Sequence, residues 1–306
     1  MTSLSSQFFK KVILPQRSFL RGDRTVQAER ADMDFLARSF IRLPPGVTVK
    51  SVSAGGVPAE WQLPARDSRD RVLVYLHGGG YVIGSPASHR ALTGRLARQL
   101  PARVLSVDYR LAPEHPFPAA LEDALCAYRW LLDGGVPARS IAVGGDSAGG
   151  GLTLALAISL RAAGLPLPAA LFLLSPWTDL TFSGESHRTR RGVDPIFRGG
   201  GDGLLARIYA GSHDPAAPLL SPLFADLHGL PPTMIQVGDA EILLSDSTGL
   251  QQALTAAGVP AEIQVWDGMW HVFQVTAPWV PEASQAIRDL VAFLNRTLPP
   301  QGGLQP

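Results

Sequence analysis

The stretch Ile141-Ala-Val-Gly-Gly-Asp-Ser-Ala-Gly-Gly-Gly151, continued by Leu152-Thr-Leu-Ala-Leu-Ala-Ile-Ser-Leu160, decides the fold. Its opening residues are apolar and suit a buried strand. The Leu- and Ala-rich run that follows reads as a helix. Between the two, the chain turns through Gly145-Asp146-Ser147-Ala148-Gly149, a G-x-S-x-G pattern with Ser at its apex. Such a pattern carries chemistry only between a strand and a helix, which is its context here. Gly145 and Gly149 are needed sterically, because a Cβ at either site of so tight a turn meets backbone. Ser147 is expected in a strained conformation, with its Oγ exposed at the carboxyl end of a sheet. The helix behind it points N–H groups and partial positive charge at the same spot. An oxyanion formed during acyl transfer would lie there. Small-residue turns also occur in doubly wound folds without catalysis, so the five residues alone leave their role open.

The alternation of strand and helix extends in both directions. Apolar runs at 72–77, 103–108, 171–176, 233–238 and 262–266 suit buried strands. Helical patterns at 91–100, 117–132, 244–257 and 283–298 separate and follow them. Continuous apolar strands alternating with helices predict a mostly parallel sheet covered on both faces. Upstream, residues 47–63 read as two strands around Gly55-Gly56. Before them, 25–43 carries apolar positions at Met33, Leu36, Ala37, Phe40 and Ile41, an amphipathic helix stopped by Pro44-Pro45-Gly46. The stretch 177–230 breaks the pattern, with Gly184, Gly192, Gly199-Gly-Gly201 and a helix-like 204–209. So long a connection reads as a lid or functional insertion. The expected division is 1–45 as the N-terminal part of a cap, 46–176 as core, 177–230 as cap insertion and 231–306 as core.

Composition narrows the function. Hydrophobic residues make up 46% and charged residues 17%, which argues for a globular chain over a disordered one. Lys+Arg number 27 against Asp+Glu 26, so nothing electrostatic favours nucleic acid. Cys126 is the single cysteine, which excludes an internal disulfide and is expected to pack in the core. No Cys/His cluster has metal-ligand spacing, and neither a metal nor a cofactor is expected. Lys10-Lys11 precede only a short apolar run that Pro15 interrupts, too short for a signal peptide or a membrane span. A cytoplasmic protein without stable membrane insertion is the expectation.

His77-Gly78-Gly79-Gly80 follows an apolar strand directly. Three glycines leave backbone N–H groups uncovered, so a ligand oxygen can approach them closely. With the Ser147 turn downstream, order and spacing match an oxyanion loop followed by a nucleophile elbow. Further segments extend the match: Asp108-Tyr-Arg-Leu-Ala-Pro-Glu-His-Pro-Phe-Pro118, Ser175-Pro-Trp-Thr-Asp179 and Trp270-His271. In these pieces the chain resembles the hormone-sensitive-lipase-like (bacterial family IV) esterases of the α/β-hydrolase superfamily. The resemblance runs over about residues 70–295, in family order; the first 45 residues carry little of it. It implies an α/β-hydrolase fold, with a mostly parallel central sheet, helices on both faces and a helical cap. It also implies cofactor-free hydrolysis of a small-molecule carboxylic ester.

Carried over by position, the resemblance makes Ser147 the nucleophile. The oxyanion donors would be backbone N–H groups of Gly79, Gly80 and Ala148, with Gly78 a further candidate. His77 would shape the loop, and His115 would be structural. Ser147 needs a base at neutral pH, and His271 is the late histidine placed to supply one. His89, His187, His213 and His228 have no comparable context. A carboxylate must hold the base, and chain order places it after strand 233–238, where Asp239, Glu241 and Asp246 compete. Relatives that read Asp-Pro-Leu here are not matched. Aligning Leu243 with the family leucine puts Glu241 on the acid position, with Asp239 the alternative. Asp246 is expected near a helix N-terminus, without a catalytic role. Tyr81, Trp177, Phe182, Phe197 and Tyr209 are candidate pocket residues, or residues that hold the cap down. A ligand-binding module lacking catalysis, or a lactone or amide hydrolase, competes with the esterase reading. His271 argues against the pure binder. An exposed edge at strand 262–266 offers a route to a homodimer.

Overall fold

The computed structural model describes residues 2–14, 25–40, 42–66, 70–197 and 202–298. Among them, eight strands form one sheet: β1 (Val47–Ala54), β2 (Val57–Pro64), β3 (Val72–Leu76), β4 (Arg103–Val107), β5 (Ile141–Asp146), β6 (Ala170–Leu174), β7 (Thr233–Gly238) and β8 (Ala261–Trp266). Their spatial order is β1-β2-β4-β3-β5-β6-β7-β8. β2 pairs antiparallel with both its neighbours, and every other pairing is parallel.

The α-helices are α1 (Leu4–Phe8), α2 (Val26–Phe40), α3 (Pro86–Gln99), α4 (Ala119–Asp133), α5 (Ala148–Ala162), α6 (Ser186–Thr189), α7 (Asp202–Ala210), α8 (Leu244–Ala256) and α9 (Pro281–Thr297). The central strand shows why the sheet needs two covers. Val72, Val74 and Leu76 of β3 join one buried cluster, and Leu73 and Tyr75 join another. Side chains alternate across a strand, so an all-apolar strand demands apolar partners on both faces. On the first face Leu121 and Tyr128 of α4, Leu152 and Leu156 of α5, and Leu250 and Leu254 of α8 supply them. On the second, Leu92 and Leu96 of α3 and Ile287, Leu290 and Leu294 of α9 do so.

Register positions the loops that matter. Leu76 lies opposite Gly145, so the loop after β3 and the turn after β5 leave the sheet side by side. Gly238 lies opposite Trp266, which brings the loops after β7 and β8 together. The strand order reverses direction beside β3 and β5, and open α/β sheets build their sites at such a crevice.

Several details depart from the sequence reading. α3 starts at Pro86, before the apolar run at 91, because Ser85 and Ser88 form a reciprocal capping box. Cys126 is only partly buried, and its thiol donates to the Gly55 carbonyl oxygen at 3.0 Å. His115 is exposed. α2 matches the expected helix, but the side chains of Leu36, Ala37 and Phe40, and Ile41 entirely, lie outside what is described, as does Gly199–Gly201. Among the described residues no helix is long and apolar enough to cross a membrane.

Candidate active site

The turn after β5 has the steric character its glycines imply. A Cβ on Gly149 would run into the carbonyl oxygens of Leu76 and His77, and one on Gly145 into those of Leu76 and Gly149. Ser147 sits at φ 53° and ψ −122°, a conformation that side chains with a Cβ rarely adopt. It costs about 1–3 kcal/mol and persists only where the surroundings impose it. Here they do: Ser147 N donates to Leu174 O at 2.9 Å, and Trp177 N donates to Ser147 O at 2.9 Å. α5 begins at the next residue. The Ala148 N–H therefore has no carbonyl one turn earlier within the helix.

His271 Nε2 stands 3.0 Å from Ser147 Oγ, and its Nδ1 stands 2.9 Å from Glu241 Oε2. The other oxygen, Oε1, accepts from Gly238 N at 2.7 Å and from Ser175 Oγ at 2.8 Å. Glu241 is fully buried and the His271 side chain 8% exposed. Burial works against the imidazolium. The Glu241 hydrogen bond and charge outweigh it, and His271 ends above its ordinary value of 6.5. Asp239 is placed otherwise: its Oδ1 accepts from Gly268 N at 2.7 Å and so shapes the turn before His271. Asp246 is buried in the first turn of α8. Its carboxylate accepts from Thr178 N and Asp179 N at 2.8 and 2.9 Å and pairs with His187 Nε2 at 2.7 Å. It ties the start of the segment between β6 and β7 to α8.

The loop after β3 carries the candidate glycine amides. Gly78 N–H, a candidate oxyanion donor, is engaged by Asp146 Oδ1 at 3.0 Å. The same carboxylate receives the Tyr75 hydroxyl at 2.7 Å and faces His89 Nε2 at 3.3 Å. Burial works against both charges, yet each is favoured by its partner: Asp146 lies below its ordinary value and His89 above. The backbone of Gly79 and Gly80 runs at φ 124° and 63°, which only glycine adopts without strain. His77 is buried, stacks on Tyr109 with ring centroids 4.3 Å apart, and donates from Nδ1 to Gly78 O at 2.9 Å. Desolvation first, then repulsion from His89, lowers it to about 3, so it is neutral and shapes the loop.

The aromatic candidates separate into two groups. Tyr209 stacks on Tyr81 at 3.5 Å, Tyr81 meets Trp177 at 6.2 Å, and Trp177 meets Phe182 at 5.7 Å. Tyr81, Trp177 and Tyr209 are buried, so this row packs the segment between β6 and β7 onto the loop after β3. A Cβ on Gly80 would meet the Leu205 side chain of α7. Phe197 stands apart, edge-on to the His271 ring at 5.0 Å.

Sequence reasoning passed over Ser175, His89 and Asp194. Ser175, at φ 47°, donates to Glu241 and accepts from Val272 N at 3.0 Å, bracing Glu241 against the residue after His271. Its place in the Ser-Pro-Trp-Thr-Asp segment was the available signal. His89 gave none, since its partner lies far along the chain.

The profile of the alpha/beta hydrolase fold family matches residues 73–275. An acetyl-hydrolase of Streptomyces hygroscopicus is 44% identical, over 88% of this chain and 90% of its own. An esterase of Acinetobacter venetianus is 38% identical, over 87% of this chain and 88% of its own. The crystal structure of an esterase from the bacterial hormone-sensitive lipase family superposes with a TM-score of 0.92 at 43% identity, covering 97% of this chain and 99% of that one. The chain belongs to the α/β-hydrolase-fold family, among the bacterial hormone-sensitive-lipase-like esterases.

Proposed function

We propose that this protein is a serine carboxylesterase acting on small to medium acyl esters, with Ser147, His271 and Glu241 as its triad. The observation that carries the reading is the unbroken line from Ser147 Oγ through the His271 ring to Glu241, with contacts of 3.0 and 2.9 Å. His271 Nε2 takes the hydroxyl proton as Ser147 Oγ bonds the ester carbonyl carbon. Charge builds on the carbonyl oxygen, where the N–H groups of Gly79, Gly80 and Ala148 receive it. The proton then passes to the departing alkoxide, the alcohol leaves and an acyl-serine remains. Water repeats the sequence: His271 takes its proton, the hydroxide oxygen attacks the acyl carbon, and Ser147 regains its hydrogen as the acid departs. Glu241 holds the imidazole in the tautomer that presents Nε2 to Ser147.

Residues 1–45 and 177–230 form the cap in this reading, and the insertion's aromatic row supports that division. Short acyl groups fit the names of the relatives, one of them an acetyl-hydrolase. The enzyme needs no metal or cofactor and works in the cytoplasm. Self-association through the free edge of β8 belongs to the same reading, and a solution mass measurement addresses it.

Ser147→Ala should lower hydrolysis of p-nitrophenyl butyrate by about a thousandfold or more with the thermal melt unchanged. A sulfonyl fluoride should label Ser147 stoichiometrically. Near-wild-type turnover by a purified, intact Ser147→Ala protein would sink the mechanism. A chain-length series against an anilide then defines the substrate class.

A further inference from the structure

Three buried carboxylates, Glu241, Asp194 and Asp146, act on His271, and the reaction just described uses one. The second is Asp194, fully buried and supplied by the insertion. Its Oδ1 accepts from Ile196 N and Phe197 N at 2.8 and 3.1 Å, a local turn. Its Oδ2 reaches out of the insertion and accepts from Ile242 N at 2.9 Å, the residue directly after Glu241. One side chain therefore holds both the loop presenting Glu241 and the segment placing Phe197 edge-on to His271. The tie uses both oxygens as acceptors, which a carboxylate offers and a neutral amide, with one acceptor oxygen, does not. Burying a carboxylate is costly, and its place beside an imidazole that must become cationic gives the charge a use.

We propose that Asp194 is a positioning residue of the hydrolytic site: it clamps the Glu241 loop to the insertion and sets a second negative charge behind His271. The inference rests on the esterase reading. Among the described residues, the charged groups acting on His271 are Glu241 from the loop after β7, Asp194 from the segment between β6 and β7 and Asp146 from β5. Burial holds Asp194 above the usual carboxylate range, and the His271 charge acts in the opposite direction. Removing the Asp194 charge takes away one of the groups that favour imidazolium. His271 then stays neutral, and competent as a base, to lower pH.

The test uses the full chain and p-nitrophenyl butyrate, with Asp194→Asn and Asp194→Ser beside wild type. The pH dependence of kcat/KM and a thermal melt are recorded for each. The expected result is a kcat lowered about ten- to a hundredfold, a KM within about threefold, and an acid limb displaced to lower pH. An acid limb that stays at the wild-type position in a folded variant reduces Asp194 to a structural tie and overturns the proposal, whatever kcat does. Failure of both variants to fold has the same meaning. Failure of the esterase reading looks different: wild type itself is then inactive, or Ser147→Ala is active, and the proposal falls with it.

Discussion

Glu241 and Asp239 stand two residues apart on one loop, and only Glu241 reaches His271. The Asp239 side chain is held by the Gly268 N–H, on the turn that delivers the histidine. Glu241 is longer by one methylene and is aimed by two donors, Gly238 N–H and the Ser175 hydroxyl. Glu241→Gln should therefore lower kcat on the order of ten-thousandfold, the scale seen when a triad carboxylate becomes an amide. Asp239→Asn should cost less than about tenfold, chiefly through a looser turn. Steady-state kinetics on the two purified variants check this, and a reversed order would make Asp239 the acid. Both residues were legible in the sequence as candidates because chain order points to this loop, whereas which of them reaches His271 depends on side-chain directions that no local pattern encodes.

At the scale of elements, the β5–α5 unit was legible because all its constraints are local. An apolar strand, two small residues at the turn and a helix-forming run lie within twenty residues. Gly149 shows how little slack the turn has. Its missing Cβ faces the Leu76 and His77 carbonyls, the backbone that leads into the glycine loop after β3. Gly149→Ala should destabilise by about 3 kcal/mol or more, since backbone and not a side-chain tip must move. Gly192→Ala, where an added Cβ meets nothing within 4 Å, should leave the melt nearly unchanged. Denaturant unfolding of both variants provides the comparison, and equal stabilities would refute the steric account. The start of α3 was less legible: its first turn is fixed by the Ser85–Ser88 box, and apolar periodicity does not report a polar cap.

Across the whole molecule, the described residues of the N-terminal segment contribute no strand to the sheet yet are fastened to both the core and the loops around the site. Ser3 donates to Glu282 at the start of α9, and Lys10 Nζ to Gly268 O at 3.2 Å. Arg30 of α2 donates to Val82 O and Ala112 O, each at 2.7 Å, just behind the glycine loop after β3. Deleting residues 1–43 should leave the sheet folded but lower kcat/KM by about tenfold or more and change the acyl-chain-length profile. Circular dichroism and p-nitrophenyl ester series check the two halves of this expectation. An unchanged profile would separate the segment from the substrate pocket.

The sequence by itself determined the sheet-and-helix alternation, the strand–Ser147–helix turn, the glycine loop before it and the late His271. Each is written in neighbouring residues, where periodicity and steric need act over a few positions. Tertiary structure alone decided what each polar group faces. Gly78 gives its N–H to Asp146 across 68 residues, and Asp194 takes the amide after Glu241 across 48. No local pattern encodes such pairs, because they arise when separate loops leave adjacent strands at one edge. Burial there obliges every N–H and carboxylate to find a partner, and sheet register settles which partner is within reach.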